Sequence, residues 1–192
     1  MTVFFHYALH GFSNIYLVGN DVTKEAIIID PAAFTLGLLD FIESKSYMVK
    51  AVLLTHKHKH HVDGLKTLLK IYDASVYSSN SGIGGILCNT VGDSEKFEVC
   101  GFSVEALSVP GHSQDSIVYC IEKLLFTGDT LYAGLIGNTL SQYGNKLLRE
   151  QIQKKLFVKD DDCLVLPGHG PPSTIATEKL YNSAFALKDN RT

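Results

Sequence analysis

The stretch THKHKHHVDG, residues 55 to 64, places His56, His58, His60 and His61 within six positions, half of the eight histidines in the chain. An imidazole offers a lone pair at neutral pH without the cost of burying a charge, which makes histidine the commonest metal ligand. The cluster follows AVLLT (51–55), an apolar run of the kind that forms a strand buried on both faces. Side chains two apart on extended backbone point the same way, so His56 and His58 can converge on one point. Lys57 and Lys59 alternate with them, and a solvated basic loop would show the same pattern. Three other places repeat an apolar strand followed by a polar loop: SVPGHS carries His112, LLFTGDT carries Asp129 and LVLPGHG carries His169. Singly, each is an ordinary turn residue. Together they occupy equivalent places, the carboxyl ends of short apolar strands, and loops at one edge of a sheet are where binding groups converge.

Holding such residues together takes strands and covering helices. VFFHYAL, NIYLVGN and AIIIDP read as strands, the last two joined by a turn at DVTKE and ending at Pro31. Thr35 caps a predicted helix with Leu38, Leu39 and Ile42 on one face. Val62, Leu65, Leu69 and Tyr72 recur at helical spacing, so one helix is expected directly after the histidine cluster. ASVYSS, FSVEALSVP, SIVYCIE, KLLFTGD and CLVLPGHG are further strands, SNSGIGG (79–85) reads as a flexible loop, and NTVGDSEKFEVCG as a turn into a strand. Helices are expected over 144–157, with Leu148, Ile152 and Leu156 in register, and from Thr174 to near the end. No linker or repeat divides the chain, so the pattern predicts a single α/β domain in which sheets are covered by helices.

Composition narrows the function classes. A chain of 192 residues, 45% hydrophobic and 19% charged, is an ordinary globular protein with one well-filled core or two small ones. A formal charge of −3 lacks the basic footprint of a nucleic-acid binder. No run approaches the ~18 apolar residues of a membrane span. MTVFFHYALHGF has no positively charged start and reads as a first strand rather than a signal peptide. Cys88, Cys100, Cys120 and Cys163 form no CxxC pair, and the expectation is reduced, mostly buried thiols in a cytoplasmic protein.

THKHKHH, PGHS, FTGDTL and PGHG, in this order and spacing, resemble the metallo-β-lactamase superfamily of metal-dependent hydrolases, and NIYLVGN…AIIIDP fits its opening strands. FTGDTLYAGLIGNT, followed by a helix and LPGHGPPSTI, is most similar to the glyoxalase II-like branch, the hydroxyacylglutathione hydrolases. The resemblance implies an αββα sandwich, one domain over residues 1–192, with two metal ions at the edge of its sheets. It makes His56, His58 and His112 ligands of the first metal, His61 and His169 ligands of the second, and Asp129 a catalytic carboxylate bridging both. Zinc is the implied metal, with iron or manganese as alternatives. Three histidines leave zinc an open position for water, whose pKa falls to about 7 on coordination. Held between two metals, that hydroxide would attack a carbonyl carbon. A thioester suits because its thiolate leaves without needing much protonation. The implied partner is a small-molecule ester of glutathione or another thiol.

Where the family has HxHxDH, this chain has His60 at the aspartate position. His60 is a candidate second-metal ligand and catalytic residue. Its Nδ1 stands as many bonds from Cβ as an aspartate oxygen does, so ligation through Nδ1 is expected. The alternative is a ring turned away, leaving a deficient second site or a single metal. Losing a carboxylate makes the site more cationic in either case. Asp63 is expected to open the next helix as an N-terminal charge. The basic residue that glyoxalase II-like proteins carry near the end of GDTLYAGLIGNT is Asn138 here, and their helical C-terminal glutathione-binding domain is not expected. Lys146 and Arg149 are expected on a solvated helix face, while Tyr132 and Tyr143 either border the pocket or pack.

Two other readings remain open. An iron-dependent persulfide dioxygenase, a class found in the superfamily, would use a 2-His-1-carboxylate site corresponding to His56, His112 and Asp129. A metal-binding or sensing module with catalysis reduced by His60 is the reading from outside enzymology. The acidic balance argues against a nuclease, and the lack of an export signal against a secreted β-lactamase.

Overall fold

The computed structural model describes residues 1–9 and 11–185. The first half of the chain forms β1 (Thr2–Ala8), β2 (Ser13–Gly19), β3 (Glu25–Ile29), α1 (Leu36–Ser44), β4 (Met48–Leu53), α2 (Lys59–Val62), α3 (Leu65–Leu68), β5 (Ser75–Ser78), the hairpin β6 (Gly82–Ile83) and β7 (Ile86–Leu87), and β8 (Asn89–Thr90). The second half forms β9 (Glu95–Val99), β10 (Phe102–Ser108), β11 (Ile117–Ile121), β12 (Leu124–Gly128), the hairpin β13 (Leu131–Tyr132) and β14 (Leu135–Ile136), and α4 (Gln142–Gln151). A π-helical turn (Ile152–Leu156), β15 (Leu164–Pro167), β16 (Ser173–Thr174) and α5 (Ile175–Tyr181) complete it.

Apolar side chains on both faces of the central strands dictate four layers. In β2 and β3, Tyr16, Val18, Ile27 and Ile29 face one way and pack against Val104, Ala106, Tyr119 and Phe126 of the other sheet. Their neighbours Ile15, Leu17, Ala26 and Ile28 face the other way, onto Leu38 and Ile42 of α1 and Leu65 and Leu68 of α3. On the far side of the second sheet, Leu107, Val118, Leu125 and Val165 meet Leu148, Ile152, Leu156 and Ile175. Period-two alternation on strands covered on both sides is what such a helix–sheet–sheet–helix stack requires. The expected αββα sandwich is therefore observed.

Strand direction places the loops. The first sheet runs β1-β2-β3-β4-β5-β8, with β3, β4 and β5 parallel. The second runs β16-β15-β12-β11-β10-β9, with β12 and β15 parallel. Two antiparallel pairings separate β10 from β12, so these strands run the same way. The carboxyl ends of β4, β10, β12 and β15, which lead to His56, His112, Asp129 and His169, consequently share one edge of the sandwich.

Three local expectations are corrected. The helix after the histidine cluster is two short helices, because Gly64 passes so close to residues 31–34 that a Cβ would lie 2.6 Å from the Ala33 carbonyl carbon. There the Gly64 amide donates to the Pro31 carbonyl at 2.8 Å. Asp63 accordingly closes α2 rather than opening a helix, and pairs with Lys59. SNSGIGG is not a plain loop, since Gly82–Ile83 pairs with Ile86–Leu87. The last helix ends at Tyr181, and the expected continuation past residue 185 lies outside the described residues. All four cysteines are unpaired. Among the described residues, no helix is long and apolar enough to cross a membrane.

Gly64→Ala should cost about 1–3 kcal/mol through overpacking against rigid backbone, which corresponds to about 2–4 °C in Tm per kcal/mol for a domain of this size. Thermal unfolding followed by circular dichroism checks this, and an unchanged Tm would show that the 31–34 segment gives way freely.

Candidate metal centre

Thr55 ends the buried run of β4, and the next seven residues turn across the shared edge. His56 and His61 are buried, His58 and His60 half-buried. The Nδ1 of His58 lies 3.0 Å from the Nε2 of His56 and 3.0 Å from the Nε2 of His112. Asp129, 5% exposed, reaches in from the end of β12. Its Oδ2 is 3.8, 3.6 and 3.4 Å from the Nε2 atoms of His56, His112 and His60. Its Oδ1 is 3.1 Å from the Nε2 of His61 and 3.5 Å from that of His169. Ligand atoms of His56, His58, His112 and Asp129 lie within 4.8 Å of one another, as do those of His56, His60, His61 and Asp129. The structure thus brings every predicted site residue to one place.

The outer ring nitrogens reveal what the inner ones must bind. Thr55 Oγ1 gives its one proton to Asp30 Oδ2 at 2.6 Å, so His56 Nδ1, 3.1 Å away, donates to that hydroxyl. His112 Nδ1 donates to the Asn138 carbonyl at 2.7 Å, and His169 Nδ1 to the Phe12 carbonyl at 2.9 Å. His61 Nδ1 donates to Asp30 Oδ2 at 3.0 Å. With the proton on Nδ1, the Nε2 atoms of His56, His112 and His169 turn lone pairs toward a carboxylate that also has only lone pairs to offer. A further proton is opposed on part of the cluster. Burial, then the nearby His61, holds His56 down at about 3, and burial also lowers His58 and His60. His61 differs: burial acts to lower it, but Asp30 and Asp129, one on each ring nitrogen, push it up to about 9. Burial raises Asp129, yet the surrounding imidazoles outweigh it and hold the carboxyl well below the usual range. A buried anion facing such lone pairs fits divalent cations, and His56, His61, His112 and His169 carry the outer-shell hydrogen bond that metal-bound histidines show.

An open cleft of about 400 Å³ exposes this cluster, with Tyr132 and Asn138 on its walls. Burial and the Asp129 charge raise the Tyr132 phenol well above its ordinary value.

The profile of the metallo-beta-lactamase superfamily matches residues 9–84 and 80–170. The chain belongs to that superfamily. Hydroxyacylglutathione hydrolase GloC of Haemophilus influenzae is 30% identical over 193 residues, covering 88% of this chain and 91% of the relative. Among solved structures, BLEG-1 B3 metallo-beta-lactamase superposes with a TM-score of 0.85 at 25% identity, over 97% of this chain and all of that one. ETHE1 from Myxococcus xanthus gives 0.84 at 28% identity, over 95% and 84%. Superfamily membership and the observed cluster together support a two-metal site.

Against this family frame, one site expectation needs correcting and one residue was missed. His60 faces Asp129 with Nε2, not Nδ1. The β1–β2 turn is the physical reason: Gly11 packs so tightly that a Cβ there would lie 2.5 Å from the His60 Cβ, holding it back so that the far nitrogen spans the gap. Asp30 was read only as the end of a strand. It is buried at 2% exposure, anchors Thr55 and His61, and sits at φ +49°, a left-handed conformation uncommon outside glycine. The signal for it was a carboxylate directly after a wholly apolar strand. Lys146 pairs with Glu150 and Arg149 lies over the Phe185 ring, so neither serves the cleft. Tyr132 borders the cleft, while Tyr143 is 75% exposed on a neighbouring surface.

Asp30→Asn should weaken metal binding about 10–100-fold, as loss of an outer-shell carboxylate typically does. Competition with a chromogenic chelator measures it, and unchanged affinity would remove Asp30 from the site's support. Chelation should also lower Tm by several degrees, reversibly, because metal binds only the folded state. In the metal-free protein the His56 contribution to stability is whole above pH 6.5 and declines as pH falls toward about 3. The His61 contribution is whole below pH 6.5 and is lost as pH rises through about 9. Metal-free stability should therefore peak between these limbs, and a Tm–pH series with a monotonic trend would contradict the assignments.

Proposed function

We propose that the protein hydrolyses thioesters, in the manner of the glyoxalase II-like branch, with a pair of zinc ions as its resident cofactor. The observation that carries this reading is the convergence of five imidazoles on the two oxygens of Asp129, with His58 against two of them, at an open cleft. In the proposal His56, His58 and His112 would hold one ion, His60, His61 and His169 would hold the other, and Asp129 would contribute to both. Such a pair supplies Lewis acidity and a water acidic enough to serve as nucleophile near neutral pH. The chain's own residues do the rest. Asp129 fixes the spacing of the two positions, and Asp30, Thr55, Asn138 and Phe12 lock the ring tautomers. Water adds to the carbonyl carbon, the C–S bond breaks, and the products are a carboxylate and a thiol.

The cleft itself supports a thioester over an ester or amide. Among the described residues, its lining holds no lysine and no carboxyl besides Asp129. His60 is pushed toward the neutral form by burial, and the Tyr132 phenol is raised. A leaving group that departs as a stable thiolate needs no strong acid beside it. The similarity to GloC supports the same class. Glutathione is not secured as the thiol, because Asn138 is neutral where a basic residue would hold its carboxylate. Persulfide oxidation through His56, His112 and Asp129 is less well supported, since the His58 nitrogen stands 3.0 Å from both of those histidines and makes a third donor.

A panel of thioesters, matched oxygen esters, a β-lactam and glutathione persulfide, assayed on metal-loaded protein, tests the reading. Thioesters should turn over at least tenfold faster than their oxygen esters, with no oxygen uptake on the persulfide. Oxygen consumption with bound iron would replace the reading with oxidation, and full metal occupancy without any turnover would leave a binding module. His60→Asp should raise second-metal affinity and turnover together, and no change in either would make the position a bystander.

A further inference from the structure

The first sheet overhangs the second beside His169. Side chains alternate across the edge strand β1. Phe4 stacks on Phe41 of α1 with centroids 3.6 Å apart and His6 bonds Thr35, while Val3, Phe5 and Tyr7 turn to the opposite face. There Phe5 meets Tyr16, a member of the core between the sheets, at 5.7 Å. The second sheet does not extend far enough to cover them. Its edge strand β16 pairs with Leu164 and Val165 alone, and residues 168–172 run on as a loop. Phe5 and Tyr7 are each left 46% exposed, and Phe12 66%. With Pro171 and Pro172 they wall a groove of about 550 Å³ whose lining, among the described residues, includes no lysine, arginine or carboxylate.

This groove borders the metal centre at His169. That residue lines both the groove and the cleft, and the Phe12 carbonyl holds its ring by Nδ1. A molecule lying along Phe5 and Tyr7 therefore reaches His169, whose Nε2 is 3.5 Å from Asp129 Oδ1. The other side of the cleft has the opposite character. Beyond His58 and His112, Lys57, Ser79, Asn80 and Asp115 line a pocket of about 420 Å³.

We propose that the groove is an acyl-binding subsite, and that the preferred substrates are thioesters of medium-chain or aromatic acids. The apolar acyl group lies along Phe5, Tyr7, Phe12 and the two prolines. The polar thiol half lies across the cleft against Lys57 and Asn80. Rigid aromatic and proline walls lose little side-chain entropy when they close on a ligand. The volume falls within the range of sites that enclose a ligand far larger than a two-carbon acyl group. The proposal rests on the hydrolase reading above, and its test separates the two.

The probes are acetyl, butyryl, hexanoyl, octanoyl and benzoyl thioesters of N-acetylcysteamine, assayed on the metal-loaded enzyme. kcat/KM should rise about two- to fourfold per methylene as each is buried. Phe5→Ser and Tyr7→Ser should each cut the octanoyl-to-acetyl ratio at least tenfold. A flat chain-length series, or a ratio unchanged in both variants, overturns the proposal. Titration of the thioether analogue of the octanoyl substrate reads the groove without turnover. Tight binding lost in both variants supports the groove even if no thioester is cleaved, whereas binding equal to that of the acetyl analogue overturns it. Sedimentation of the same proteins decides the competing occupant. A wild-type dimer that dissociates on Phe5→Ser with acyl selectivity intact would show that a second copy covers this face.

Discussion

The centre of this protein is built around an electrostatic conflict. Asp129 faces the Nε2 atoms of His56, His112 and His169, whose protons are committed elsewhere, on Thr55, Asn138 and Phe12, and His61 alone brings it a proton. In a buried, low-dielectric setting, unpaired lone pairs and an anion at such distances are costly. Burial opposes the simplest remedy, a further proton, on His56, His58 and His60. Divalent cations remove the conflict, and the geometry is arranged for them in two groups on either side of one carboxylate.

The sandwich makes that arrangement possible by sparing the site long loops. His56, His58, His112, Asp129 and His169 each follow within a few residues of the end of a largely buried strand, so their backbone inherits the rigidity of a core strand. Parallel pairings of β3 with β4 and of β12 with β15 bring ends from distant parts of the chain to one edge. The two sheets meet directly beneath the cluster, where Tyr16 donates to the Pro167 carbonyl at 2.8 Å and Asn14 to the same oxygen at 2.9 Å. Sites carried on rigid elements hold the sub-ångström tolerances that metal chemistry requires.

Much of this was legible because each motif is local. THKHKHH, PGH and TGD each follow directly on an apolar run, so residue type and strand end could be read together. What escaped depended on contacts between distant segments. The nitrogen that His60 presents is decided by Gly11, on the other side of the sheet edge. Asp30 read only as the end of a strand, since its partners Thr55 and His61 come from beyond the next strand. The break at Gly64 follows from its approach to Pro31 and Ala33, and nothing in the periodicity of Val62, Leu65, Leu69 and Tyr72 announces it. The overhang of β1 required knowing where the second sheet ends.

His60 gives the centre its individual character. An imidazole where the family has a carboxylate removes one negative charge while keeping a donor within 3.4 Å of Asp129. Two divalent ions would then be compensated by a single carboxylate, which makes the cluster more cationic and favours metals that accept nitrogen ligands over the oxygen-loving ones. The most direct measurement is a crystal structure of protein purified without chelator, with anomalous data at the zinc, iron and manganese edges alongside elemental analysis. The account predicts two metal peaks flanking Asp129, with His60 Nε2 in the coordination sphere of the one shared with His61 and His169. A single peak under metal excess, or a His60 ring turned to solvent beside two occupied positions, would contradict it.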